Sequence, residues 1–253
     1  MTFTRTLHAE WIKFRSLRST WYTLATLLVV GLGITALSMG AAGADQAEAP
    51  QDWDPTGRSL TTYIVAQLII GVLGILVVTS EYATGLMSAT LSATPRRRRL
   101  LAAKVVVATA VALVAGQVLM FAAFFLGQAV LITQEVPNAQ LGDPGVLSAV
   151  TGGGIYLSAI ALLAVGLGTI MRATAGALAT LVGIVFLVPA LQGLFPPWMQ
   201  GLFAFWPTKG AAAIFATVPD PAYPEPWLNL GGMCLGVAVV LAAAFAVFQR
   251  RDV

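Results

Sequence analysis

Six stretches of the chain carry no charged residue and are long enough to cross a bilayer. They are Trp21–Ala44, Ser59–Ser80, Val105–Gln134, Val146–Met171, Ala173–Thr208 and Trp227–Gln249. A helix needs about 20 apolar residues to span the hydrocarbon core. None of the stretches alternates with the period of two that a barrel strand requires. The third and fifth exceed one span, so part of each tilts or leaves the hydrocarbon. The pattern predicts an all-α integral membrane protein with transmembrane helices at 21–44, 59–80, 103–132, 146–171, 174–195 and 227–249. Residues 1–253 form a single membrane domain.

Before the first span, Phe3, Leu7, Trp11, Phe14, Leu17 and Trp21 recur at spacings of three or four and share one helical face. Arg5, His8 and Lys13 lie off that stripe, whereas Glu10 and Arg18 intrude on it. The pattern predicts an amphipathic helix within residues 1–20, lying in the membrane interface with its basic residues near anionic headgroups. The apolar run that follows is longer than the roughly 7–15 residues of a signal-peptide core, so it reads as a retained helix although Ala41-Ala42-Gly43-Ala44 follows.

Composition agrees. Hydrophobic residues make up 58% and charged residues 10%, against roughly 25% charged in soluble domains. The placement of charge sets orientation. Twelve of the 14 Lys and Arg fall before the first span, between the second and third, between the fourth and fifth, and after the sixth. The other segments hold Arg58, Lys209 and eight of the 11 acids. The positive-inside rule therefore puts both termini in the cytoplasm.

No catalytic or metal-ligating constellation is evident. One cysteine, Cys234, and one histidine, His8, exclude an intrachain disulfide and a Cys/His metal cluster. There is no P-loop, H-E-x-x-H or G-x-S-x-G motif. The acids from Asp45 to Asp54 read as solvated loop charge. No span needs a charge at its centre, unlike many ion-coupled pumps. Gln67, Gln117, Gln128 and Gln192 read as hydrogen-bonding groups between helices. Energy for uphill transport is expected from a partner. The alternatives are an ion-coupled secondary transporter or channel, and a membrane-embedded lipid-modifying enzyme.

Between the second and third spans, Ser80 is placed as the N-cap of a short helix with Glu81 in its first turn. Leu86, Met87, Thr90 and Leu91 follow at helical spacing, and Pro95 stops the helix at or before Thr94. After Pro196-Pro197, two short apolar pieces, Trp198–Trp206 and Gly210–Val218, are split by Pro207 and Lys209. Both are too short to span. Pro219, Pro221, Pro224 and Pro226 force an extended return to the last helix.

Three segments resemble the permease subunits of ABC-2 type ABC transporters, especially the small actinobacterial kind. They run from Glu10 to Trp21, from Ser80 through Thr90-Leu91 to Arg98, and from Gly166 to Ala177. The resemblance implies a type V exporter-like layout in the bacterial plasma membrane. Residues 1–20 would be an elbow helix, with Trp11, Lys13, Arg15 and Arg18 as its marked residues. Residues 81–95 would be a cytoplasmic coupling helix, and 196–226 an external re-entrant region forming a lid. Coupling to the ATPase is implied for Glu81, Tyr82, Thr84, Gly85, Leu86, Met87, Thr90 and Leu91, with Arg172 on the same side. Glu81 and Tyr82 match the family's acidic-aromatic pair. The implied partners are a cytoplasmic ABC ATPase subunit, which carries the ATP and magnesium, a second permease in a homodimer or heterodimer, and membrane lipids. No cofactor belongs to this chain, and nucleic acid is not an expected partner.

Overall fold

The computed structural model describes residues 2–48, 52–93 and 96–250, without the side chain of Asp45. All regular structure among them is helical. Helix α1 (Phe3–Ser16) is followed by α2 (Arg18–Gly40), the short α3 (Ala42–Glu48) and α4 (Pro55–Ser59), and then α5 (Tyr63–Ala83). Next come α6 (Leu86–Ala93), α7 (Arg97–Thr133) and α8 (Val146–Met171). A broken helix follows, made of α9 (Thr174–Val182), a π-turn (Gly183–Leu187) and α10 (Val188–Ala190). Short helical pieces, among them α11 (Pro197–Gln200), lead to α12 (Pro226–Arg250).

Five helices, α2, α5, α7, α8 and α12, are long and apolar enough to cross a membrane. The broken helix Thr174–Ala190 is apolar but shorter. At 37 residues, α7 is roughly 55 Å long, well beyond a ~30 Å hydrocarbon core. A helix of that length must tilt or run beyond the hydrocarbon.

The bundle is organised around α8. In its most apolar stretch 78% of residues are buried, against 22% in α2 and in α12. Helices α5, α7 and α12 pack against it. With no hydrophobic force between helices in lipid, close packing relies on small residues. Gly74 of α5 shows why, because a Cβ there would lie 2.3 Å from the carbonyl oxygen of Ala161. Polar side chains tie the same seams. Tyr156 Oη donates to Gln67 Oε1 at 2.7 Å, and Gln117 Nε2 donates to the Thr151 carbonyl at 2.8 Å. Away from α8, Gln128 Nε2 of α7 donates to Ser59 Oγ of α4 at 2.9 Å. Gln192 is different, since its Nε2 donates only 3.2 Å to nearby Gln200 Oε1.

Pro189 lies just after the break. Pro189 has no N–H. The α-register would have given that hydrogen to the Val185 carbonyl, and the π-register to the Ile184 carbonyl. Both orphaned oxygens find side-chain donors from the loop beyond: Thr208 Oγ1 on Val185 and Trp206 Nε1 on Ile184, each at 2.6 Å. The helix ends at Ala190, short of the 195 expected from hydropathy, and a single 3₁₀ turn (Gln192–Leu194) follows.

The pieces after Pro196 are largely 3₁₀, at Gly201–Phe205 and Gly210–Phe215. The second enters the bundle. Ala211, Ile214 and Phe215 are buried, and the Phe215 ring stacks on Tyr63 with centroids 4.1 Å apart. Asp54 is not a solvated loop charge. It caps α4 at Gly57 N (2.8 Å) and accepts from Thr217 N (2.6 Å) and Thr217 Oγ1 (2.7 Å). One carboxylate so joins α4 to the segment before α12.

Ser80 is also not an N-cap. Helix α5 continues through it to Ala83, and Ser80 Oγ donates to the Leu76 carbonyl at 2.6 Å. Glu81 and Tyr82 thus finish the long helix instead of starting the short one, because no residue before Gly85 breaks the helix. Gly85 (φ 70°) supplies the left-handed turn that separates α5 from α6. The helix stop assigned to Thr94 and Pro95 lies outside the described residues, as does Arg251.

Candidate functional site

At the end of the bundle that carries the arginines, four side chains from three helices meet. Glu10 and Lys13 lie one turn apart on α1 and so share a face. Leu17, in extended conformation, ends α1 and lets it turn back on the bundle. Trp21 Nε1 donates 2.9 Å to the Arg15 carbonyl and holds that corner. Glu81 arrives from the last turn of α5, and Lys104 from α7.

Lys104 is the centre. Its ammonium lies 2.9 Å from Glu10 Oε2, 2.5 Å from Glu81 Oε1 and 3.2 Å from the Val77 carbonyl. An ammonium has three hydrogens to donate, and all three have acceptors. Lys13 Nζ closes the ring at 2.7 Å from Glu10 Oε1 and 2.7 Å from Glu81 Oε1. The Lys104 side chain is 2% exposed and those of Glu10 and Glu81 are 7% and 10%. Two lysines and two glutamates cancel. That balance is what makes burial tolerable, since an unpaired charge here would bear its full desolvation cost. Glu81 sits at a helix C-terminus, where the dipole disfavours an acid, so the two lysines also offset that effect. Burial opposes the charge on Lys13, but hydrogen bonds and Coulomb attraction from Glu10 and Glu81 outweigh it and raise its pKa above the ordinary lysine value. A cavity of about 240 Å³ lies alongside, lined by Phe14, Leu17, Ser80, Glu81, Leu86 and Lys104 among others. Glu81 Oε2 is buried and accepts no hydrogen bond among the described residues.

The corner between α5 and α6 is built around this ring. Met87 is buried with Val78, Leu100, Leu101 and Phe248, and Tyr82 and Leu91 pack on that cluster. Arg172, in the left-handed turn (φ 57°) between α8 and α9, places its guanidinium 5.3 Å from the centre of the Tyr82 ring. Thr174 Oγ1 donates to Thr79 Oγ1 at 2.9 Å. Arg98 Nε donates to Gln249 Oε1 at 2.6 Å, which brings the end of α12 to the start of α7.

The residues singled out in the sequence thus divide. Glu81 and Met87 are internal, while Tyr82, Thr90, Leu91 and Arg172 are half-buried. Thr84, Gly85 and Leu86 face outward. Trp11 and Arg15 lie exposed on α1, Lys13 joins the charged ring, and Arg18 opens α2. Sequence reasoning missed Glu10 and Lys104 as partners. A signal existed, because Glu10 breaks the apolar stripe of α1 and Lys104 falls in phase with buried Leu100, Leu101 and Val107 on α7. A charge in phase with buried positions needs a countercharge.

Long apolar helices around a buried core helix, with a neutral charged lock at one end, define a multi-pass α-helical membrane protein. Residues 6–190 match the family described as ABC-2 family transporter protein. The chain belongs to that family, and so is an ABC transporter permease. The match runs from α1 to the end of α10 and contains all four residues of the charged ring. Permeases of this family typically leave ATP hydrolysis to a partner subunit. No curated protein is similar enough to the chain to count as a match.

Proposed function

We propose that this chain is the membrane subunit of an ATP-driven ABC-2 type exporter, forming the substrate path and taking its power from separate cytoplasmic ATPase subunits. The observation that carries the proposal is the charged ring of Glu10, Lys13, Glu81 and Lys104, because it ties three helices at one end into a unit. In this reading the arginine end is cytoplasmic, in keeping with the distribution of Lys and Arg. Helix α1 is the elbow in the inner interface. Helix α6 is the coupling helix, and with the turn before it offers Thr84, Leu86 and Ser88 to the ATPase. Thr174–Ala190 is the sixth span, roughly 25 Å long at 17 residues. Two permease copies would enclose the path.

The mechanism follows from the connections. ATPase subunits closing on ATP press on α6. Gly85 passes the movement to the last turn of α5, where Glu81 is held through Lys104 to α7 and through Lys13 and Lys104 to α1. The three helices shift together. Tyr82 carries the movement to the α8–α9 turn through Arg172. At the opposite end, the Pro189 hinge and the 3₁₀ pieces docked on it form the external lid. ATP binding and hydrolysis take place on the other subunit.

The test is biochemical. The purified chain is expected to show no ATP hydrolysis, and its complex with a co-purified ATPase is expected to hydrolyse ATP. Hydrolysis retained by a preparation free of any nucleotide-binding subunit would contradict the proposal.

A further inference from the structure

Two apolar grooves meet beside α1. One, of about 560 Å³, lies among Trp11, Trp21 and the α7 residues Ala110, Val114 and Val118. The other, of about 310 Å³, shares Trp11 and Ala110 and continues to Val106. Val106, Ala110, Val114 and Val118 are spaced by four, so they form one ridge along α7. The grooves are therefore one furrow. From Val106 to Val118 it is roughly 18 Å long at the helical rise, about the depth of one leaflet of a ~30 Å hydrocarbon core. Val106, Val114 and Val118 are exposed along it.

Charge distinguishes the outward side of α1. Glu10 and Lys13 are engaged in the ring with Glu81 and Lys104. What α1 presents outward is then the charge of Arg5 and Arg15, joined by Arg18 at the start of α2, all exposed. The one acid of α1 is withdrawn, and the remaining field has a single sign. An apolar furrow of leaflet depth, lined by two tryptophans and bordered by a helix whose exposed formal charges are all cationic, matches a phospholipid with a negative headgroup.

We propose that this furrow is a binding site for one anionic phospholipid, with an acyl chain along the Val106–Val118 ridge and the phosphate on Arg15 and Arg18. The lipid fills the gap between α1, α2 and α7, and so fastens the elbow helix to the bundle on the side away from the charged ring. The inference rests on the interfacial placement of α1 proposed above.

The experiment measures tryptophan fluorescence of the intact complex in vesicles holding phosphatidylglycerol with brominated chains, or brominated phosphatidylcholine, at equal mole fraction. The Trp11→Phe variant assigns the Trp11 share of the signal. Quenching of that share by the brominated anionic lipid is expected to be about fivefold stronger. The preference is expected to vanish in the Arg15→Gln/Arg18→Gln variant, and quenching by both lipids to weaken in Ala110→Leu, which fills the furrow. Equal quenching of the parent protein by the two lipids overturns the site and leaves the placement of α1 intact. No quenching by either lipid overturns the placement, and the site with it.

Discussion

Lys104, 2% exposed on α7, holds its ammonium 2.5 Å from the carboxylate of Glu81 at the end of α5. The contact joins α5 to α7 at the end where α6 branches off. Glu10 and Lys13 extend it to α1, so α1, α5 and α7 share one electrostatic joint.

Removing one member of the joint unbalances it. Lys104→Met leaves two carboxylates facing Lys13 alone, and a cost of about 3–5 kcal/mol is expected. Glu81→Gln leaves two lysines on Glu10 and costs a similar amount. The double variant retains the neutral Glu10–Lys13 pair, so it should be much less damaging than the sum of the two. Thermal unfolding of all four proteins in detergent checks this. Additive losses would mean that the two residues do not act as a pair.

Lys13 gives the joint a pH limit. Its pKa is raised in the folded protein, so its contribution is fully present below the unfolded lysine value of about 10.4. It is lost as pH rises through the folded value. The difference in Tm between the parent and Lys13→Met should be constant from neutral pH into the mildly alkaline range and shrink only above it. A melting series across pH checks the sign. A difference that grows with pH would contradict it.

The Pro189 hinge allows a rescue experiment. Thr208→Val removes the donor to the Val185 carbonyl and should cost about 1–3 kcal/mol, the penalty for an unsatisfied buried group. Pro189→Ala restores a backbone N–H that reaches the same oxygen. In the Pro189→Ala background the Thr208→Val cost should fall to a fraction of that. The readout is thermal stability, with limited proteolysis around residues 219–226 as a second measure.

Much of the long-helix pattern could be read from charge-free runs, because lipid excludes charge along a whole span. The cross-helix bonds of Gln67, Gln117 and Gln128 were legible for the same reason. The charged joint was not. The phase of Lys104 marks it as buried, but its partner Glu10 is 94 residues away in sequence, and nothing local names that partner. Ser80 shows the limit of local chemistry: a good capping residue stays inside a helix when nothing after it breaks the turn. Asp54 reads as solvated from its neighbours in sequence because its donor, Thr217, comes 163 residues later. The length of the fifth apolar run concealed Pro189, whose effect depends on donors from a loop that hydropathy does not position.

The central claim is that α6 stands on the cytoplasmic side and meets the ATPase. It is tested most directly by placing one thiol on α6, as Ser88→Cys in a Cys234→Ser background, and labelling it with a membrane-impermeant maleimide. Ser88 is exposed, so access depends on sidedness alone. Labelling is expected in inside-out vesicles, none in right-side-out vesicles, and protection when the partner ATPase is bound. Labelling from the outer face, or no protection by the ATPase, would contradict the account.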